Sequence, residues 1–205
     1  MSLRDHIIAI TIQLFSRNGI RRVSMDEVAR KAGVSKRTLY DFFSDKETLL
    51  IDVLKKIHEP FSKHMASLES HSETALEMIM LFNERMMEKP VILCDDFMED
   101  IKCYPKALQI MIEGKHSFIK KLIELLKRGE KESVFMSDID YDLISLMAQQ
   151  LMSHPMPSEV FSKYTFEEVH NTIFFIFIRG ISTDSGRDIL DKFITKKRYK
   201  HDFNE

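Results

Sequence analysis

A chain of 205 residues is long enough to bury a substantial core, so disulfides are not needed to stabilise it. Its two cysteines, Cys94 and Cys103, lie nine apart, a spacing that suits reduced thiols in a cytoplasmic protein and argues against a zinc site. Thirty basic against 32 acidic side chains leave the net charge near zero, and no apolar run approaches the length of a membrane span, so a soluble, unexported protein with no membrane partner is expected.

Six glycines, five prolines and apolar residues at helical spacing predict an all-α fold. Leu3, Ile7, Ile10 and Leu14 form the stripe of a first helix, with Phe15 beside it and Gly19 where a C-terminal cap would fall. Ser24 followed by Glu27 matches a capping box, and Met25, Val28, Ala29 and Ala32 give the second helix one apolar face before Gly33 stops it. Ser35 caps a third short helix through about Phe42. Ser44 or Asp45, with Glu47 behind it, begins a fourth carrying Leu50, Val53, Ile57, Phe61 and Leu68. Pro60 lies inside that stripe and predicts a kink or an early end near His58. Further helices are expected over 72–89, stopped by Pro90, and over 93–103, 105–128 (followed by Gly129), 138–154, 165–179 and 184–195. Pro155 and Pro157 mark a loop, and 196–200 is a short basic tail.

Charge is unevenly placed. Residues 1–50 hold nine basic against six acidic side chains, which confines attraction for phosphates to one end of the chain. Within that stretch, two short helices separated by Gly33-Val34-Ser35 read as a helix-turn-helix, whose second helix enters the major groove of DNA while the first spans it. Leu39, Phe42 and Phe43 are expected to supply core contacts, leaving Lys36, Arg37, Thr38, Tyr40 and Asp41 outward. Ser35 and Thr38 offer hydroxyls, Tyr40 a phenol, and Lys36 and Arg37 charges for phosphates or guanine edges. Lys46 sits in the first turn of the fourth helix, where its charge and the helix dipole together would attract a phosphate. Each residue alone is equally a cap, a solvated charge or a packing group; their combination favours DNA binding.

The run Phe15, Gly19, Ser24, Val28, Ala29, Ala32, Gly33, Val34, Ser35, Thr38, Leu39, Tyr40, Phe42, Phe43, Lys46, Glu47, Leu49 resembles the head of the tetracycline-repressor (TetR) family of helix-turn-helix transcriptional regulators. Ser24 replaces that family's usual threonine and keeps its hydroxyl, and Arg37 stands where glycine is commonest. The resemblance implies that Ser24, Thr38, Tyr40 and Lys46 contact phosphates, with Lys36, Arg37 and Asp41 nearer the bases. It also implies an N-terminal three-helix DNA-binding head, residues 1–50, and a larger helical bundle, residues 51–205, for ligand binding and dimerisation. The partners expected are a double-stranded DNA operator, a second copy of the chain and a small apolar effector, the protein acting as a repressor that the effector releases.

In that bundle, Ile173 to Ile178 are apolar on every face of their helix, too much for a helix with one solvated side. A dimer interface combining Ile173, Phe174 and Phe177 with Leu143 and Met147 of the 138–154 helix is expected, burial within one chain being the competing reading. The thirteen methionines suit an adaptable cavity, although ordinary core explains their spacing better. Polar candidates for an effector site are Cys103, Tyr104, His116 and Gln149. His64 and His71, seven apart, are two ligands without a third, so neither a metal nor a cofactor is expected. Two rival classes are an architectural, nucleoid-associated DNA-binding protein without an effector, and an enzyme on a helical bundle. No nucleophile-base set or phosphate loop supports the second.

Overall fold

The computed structural model describes residues 1–69, 72–88, 94–153 and 162–202. His71, Pro90, Leu93, Pro155 and Pro157 lie outside the described residues, as do the side chains of Pro60, Phe61, His64, Met152 and residues 196–200. Among the described residues the fold is all-α, its one sheet-like feature being an isolated antiparallel bridge between Phe135 and Ser182. No described helix is long and apolar enough to cross a membrane.

The α-helices are α1 (Leu3–Asn18), α2 (Met25–Ala32), α3 (Lys36–Phe42), α4 (Lys46–Glu69), α5 (Ala75–Glu88), α6 (Asp95–Asp100), α7 (Pro105–Lys131), α8 (Tyr141–Ser153), α9 (Phe166–Ile181) and α10 (Asp184–Asp202), with a 3-10 turn at Ile101–Cys103. Two compact units divide the chain. One comprises Met1–Lys63 with Lys89–Ser117, the other His64–Glu88 with Phe118–Glu205, so the division falls inside α4 and α7.

Several helix starts follow from short polar side chains taking the first free backbone N–H groups. Ser2 and Asp5 form a reciprocal capping box on α1, and Thr165 and Glu168 do the same for α9. Asp45, rather than Ser44, takes the Thr48 N–H at 2.7 Å to begin α4. Helix α4 then continues through Pro60 to Glu69, so the early end expected near His58 does not occur. Gly129 does not stop α7, which runs on to Lys131; the missing side chain gives room to the Phe135 ring. The single helix expected over 93–103 is instead α6 followed by the 3-10 turn.

In the first unit the core gathers Ile7, Phe15, Ile20 and Val23 with Val28, Ala29, Leu39, Phe43, Leu49, Leu50 and Val53, joined by Phe97, Ile101 and Ala107 from α6 to the start of α7. Phe15, Leu39 and Phe43 have no exposed surface, and each such side chain contributes about 1.5–3 kcal/mol by leaving water. Helices α1, α2 and α3 thereby fix one another's positions. In the second unit α8 packs on α9 and α10 on α5. Met78 and Met80 are buried in α5, where the helical spacing of methionines reads as core.

Candidate DNA-binding site

The angle between α2 and α3 is set by three residues. Gly33 closes α2 in the left-handed conformation (φ 68°, ψ 28°), which costs a side-chain-bearing residue energy and glycine nothing. The Val34 N–H then returns to the Ala29 carbonyl at 3.0 Å, and Ser35 begins α3 by accepting the Thr38 N–H at 3.0 Å. A second polar link ties the Ser35 and Thr38 hydroxyls at 2.8 Å. Ser24 caps α2 by accepting the Glu27 N–H at 3.1 Å. Accepting uses a lone pair and leaves the Ser24 proton available to a further acceptor.

Helix α3 presents Leu39 inward and Lys36, Arg37, Tyr40, Asp41 and Phe42 outward, with Thr38 half-buried between. Phe42 was expected in the core; it is 40 % exposed and touches Phe43 only at a tilted 6.3 Å ring contact. The reason lies in helix geometry. Leu39 and the capping Phe43 already fill the inward direction, and Phe42 falls on the flank next to Thr38.

Two of the expected DNA-binding cations are engaged within the chain. Lys36 Nζ lies 2.8 Å and 3.0 Å from the two carboxylate oxygens of Asp26 on α2, and this bond raises its pKa. Lys46 is partly buried, with Nζ 3.4 Å from the Arg21 carbonyl oxygen and 5.9 Å from the Phe15 ring centre. Burial lowers its pKa, against the attraction of Asp100. Arg37 makes no ion pair among the described residues.

Contacts that the sequence does not reveal hold this head from the segment after residue 93. The Cys94 N–H donates to the Ser16 carbonyl at 3.1 Å, Asp100 accepts the Arg21 N–H at 2.6 Å, and Asp96 pairs with Arg22 at 3.0 Å. Glu47, neighbour of Lys46, accepts the Lys106 N–H at 2.9 Å and so caps α7. Gly19 belongs to the same contact. It has φ 76°, and a Cβ there would lie 2.8 Å from that of Asp96. The sequence signal was the acidic run from Asp95 to Asp100; what it lacked was the partner about 79 positions away.

The effector candidates fall in both units. Exposed Cys103, half-buried Tyr104 and exposed His116 belong to the first unit, and half-buried Gln149 to the second. Burial, aided by Asp100, raises the Tyr104 pKa. An open hollow in the first unit is lined by Arg21, Arg22, Asp96, Glu99 and Asp100, a polar and charged set rather than the apolar one expected of an effector site. Among the described residues no three His, Cys, Asp or Glu side chains are placed to hold a metal ion.

The dimer candidates lie on α8 and α9, which pack on each other. Leu143 and Met147 are 53 % and 49 % exposed, with Leu146 and Leu151 on the same face. On α9, Ile173, Phe174 and Phe177 are half-buried, and Ile176 is 67 % exposed. Phe174 stacks on His170, one turn earlier on α9, at 6.3 Å, and the His170 imidazole hydrogen-bonds Asn83 of α5 at 2.9 Å.

Residues 7–53 match the family described as bacterial regulatory proteins, tetR family. The chain is 34 % identical over 64 residues to a mycofactocin biosynthesis transcriptional regulator, MftR, of Mycobacterium tuberculosis, covering 31 % of this chain and 29 % of the relative. It is 23 % identical over 145 residues to the HTH-type transcriptional repressor KstR2 of Rhodococcus jostii, covering 68 % of this chain and 71 % of that one. Among solved structures, a TetR-family transcriptional regulator from Agrobacterium tumefaciens superposes with a TM-score of 0.74 at 14 % identity, covering 88 % of this chain and 98 % of that one. FadR from Bacillus subtilis, in complex with stearoyl-CoA, superposes with a TM-score of 0.64 at 20 % identity, covering 86 % and 98 %.

Proposed function

Because the chain belongs to the TetR family of helix-turn-helix transcriptional regulators, we propose that it works as a cytoplasmic homodimer, a repressor that leaves its operator when a small molecule binds within residues 51–205. The observation that carries the dimer is the apolar face of α8 and α9. Leu143, Leu146, Met147 and Leu151 recur at the i, i+3, i+4, i+8 spacing of one helix face, each about half exposed, and Ile176 is exposed on α9, which packs on α8. A face of that kind is covered by a partner, and a twofold copy of itself is self-complementary.

In this reading the two α3 helices enter successive major grooves about 34–36 Å apart, so that a site of twofold symmetry is read twice. Ser24, Ser35, Thr38, Tyr40 and Lys46 position the head on phosphates, and Arg37 and Asp41 face base edges. Support for an effector is the stearoyl-CoA held by the FadR structure. A ligand that binds better to the state of low DNA affinity releases the repressor by mass action.

Mapping the DNA bound by the full chain across its genome tests this reading, followed by binding of the recovered promoter fragments with and without the metabolites their genes handle. A few discrete promoters, released by one such metabolite, are expected. Diffuse binding without enrichment would overturn it in favour of an architectural protein.

A further inference from the structure

We propose that Asp26 is a specificity-determining positioning residue: it holds the Lys36 ammonium across the helix-turn-helix, withholds that cation from the DNA backbone, and leaves base reading on this face to Arg37. The inference rests on the DNA-binding reading above. Asp26 lies in the first turn of α2 and Lys36 opens α3, ten residues on, yet both carboxylate oxygens lie within 3.0 Å of one Nζ. The neighbouring Arg37 is exposed and makes no ion pair among the described residues. Two adjacent cations on the recognition helix are thus treated in opposite ways.

The consequence follows from what each cation does on a duplex. A lysine is a point charge on a flexible stem and finds a phosphate in any register, so a free Lys36 adds affinity for every sequence. Arginine presents a planar fork that pairs with the O6 and N7 of guanine, a contact that depends on the base. Pairing Lys36 with Asp26 removes an indiscriminate contribution and spares the discriminating one. The pair is solvent-exposed on both sides, at 63 % each, so it is a bias rather than a lock. Non-operator DNA, on which the protein takes many registers, benefits most from a freed lysine.

The test uses the full chain, an operator recovered by selection from randomised duplexes, and a scrambled duplex of equal length, each titrated across a series of salt concentrations. Asp26→Asn is expected to bind the scrambled duplex about three- to tenfold more tightly at low salt and to steepen the slope of log affinity against log salt by about 0.9, the increment for one phosphate. Operator affinity should change less, so the ratio of operator to scrambled binding falls. Asp26→Glu should behave as the parent does. In a Lys36→Met background, Asp26→Asn should leave the slope unchanged, because the lysine it would release is gone. An unchanged slope in Asp26→Asn, or the same gain with and without Lys36, overturns the proposal; the second result would mean that Asp26 repels phosphates directly. A parent protein that binds no duplex would overturn the DNA-binding reading itself, and this inference with it.

Discussion

The head and the α8–α9 pair expose opposite kinds of surface, although both are short helices packed on an apolar core. On α3 the outward positions are, besides Phe42, Lys36, Arg37, Tyr40 and Asp41, groups suited to exchanging hydrogen bonds with water for hydrogen bonds with a polyanion. On α8 the outward positions include Leu143, Leu146, Met147 and Leu151, which gain only by leaving water. The first surface is at ease in water; the second gains by being covered. In the proposed reading, this difference separates two tasks, discrimination in the head and association in the second unit.

The comparison breaks most readily in the head's core. Leu39→Ala and Phe43→Ala each remove a side chain with no exposed surface and should cost about 2–5 kcal/mol of stability in denaturant titration. Phe42→Ala should cost under about 1 kcal/mol, since that ring is already partly in water. Equal losses at positions 42 and 43 would contradict the orientation of α3.

Next in size is the association face. Ile176→Glu places a carboxylate where the proposed partner would bury it, and should raise the dimer dissociation constant about a hundredfold or more in sedimentation experiments, with helical content unchanged. Phe174→Glu should instead lower the stability of the chain itself, because Phe174 packs on His170 within its own unit. If Phe174→Glu dissociates the dimer and Ile176→Glu does not, the outward face of α9 is wrongly assigned.

A smaller effect is expected at the helix-turn-helix corner. Gly33→Ala must adopt φ 68° and should cost about 1–2 kcal/mol in thermal unfolding, although no neighbouring atom obstructs the added methyl.

The smallest effect is one of pH, and it compares a histidine in each unit. Burial lowers the pKa of both His58 and His170 below the ordinary 6.5. The unfolded chain therefore takes up protons first as pH falls below about 6.5. Stability present at neutral pH is lost between that value and the lower folded-state values. Among the described residues His58 Nε2 is buried without a hydrogen-bond partner, whereas His170 Nε2 is bonded to Asn83. His58→Leu should flatten the fall in melting temperature between pH 7.5 and 5.5 without lowering the value at pH 7.5. A fall as steep as the parent's would exclude His58 as a contributor.

What the sequence made legible is local. Ser24, Gly33 and Ser35 each act on backbone groups within four positions of themselves, so their caps and turn follow from residue type and spacing. Helix ends decided by tertiary packing did not follow. Gly129 looks like a stop until Phe135 needs the room, and Pro60 looks like a break within a helix that continues to Glu69. At the site, the outward set on α3 was readable from a 3.6-residue period, apart from Phe42. The engagement of Lys36 by Asp26, of Arg21 by Asp100 and of Lys106 by Glu47 was not, because periodicity says which face a residue occupies and not which distant residue meets it there.

The central claim, that two copies of this chain read DNA through paired α3 helices, is tested most directly by selecting binding sites for the full chain from a library of randomised duplexes. The account predicts an enriched inverted repeat whose half-site centres lie one helical turn, about 34–36 Å, or a small multiple of it apart, and Ile176→Glu should lose that enrichment. A single asymmetric half-site, enriched equally by the parent and by Ile176→Glu, would contradict it.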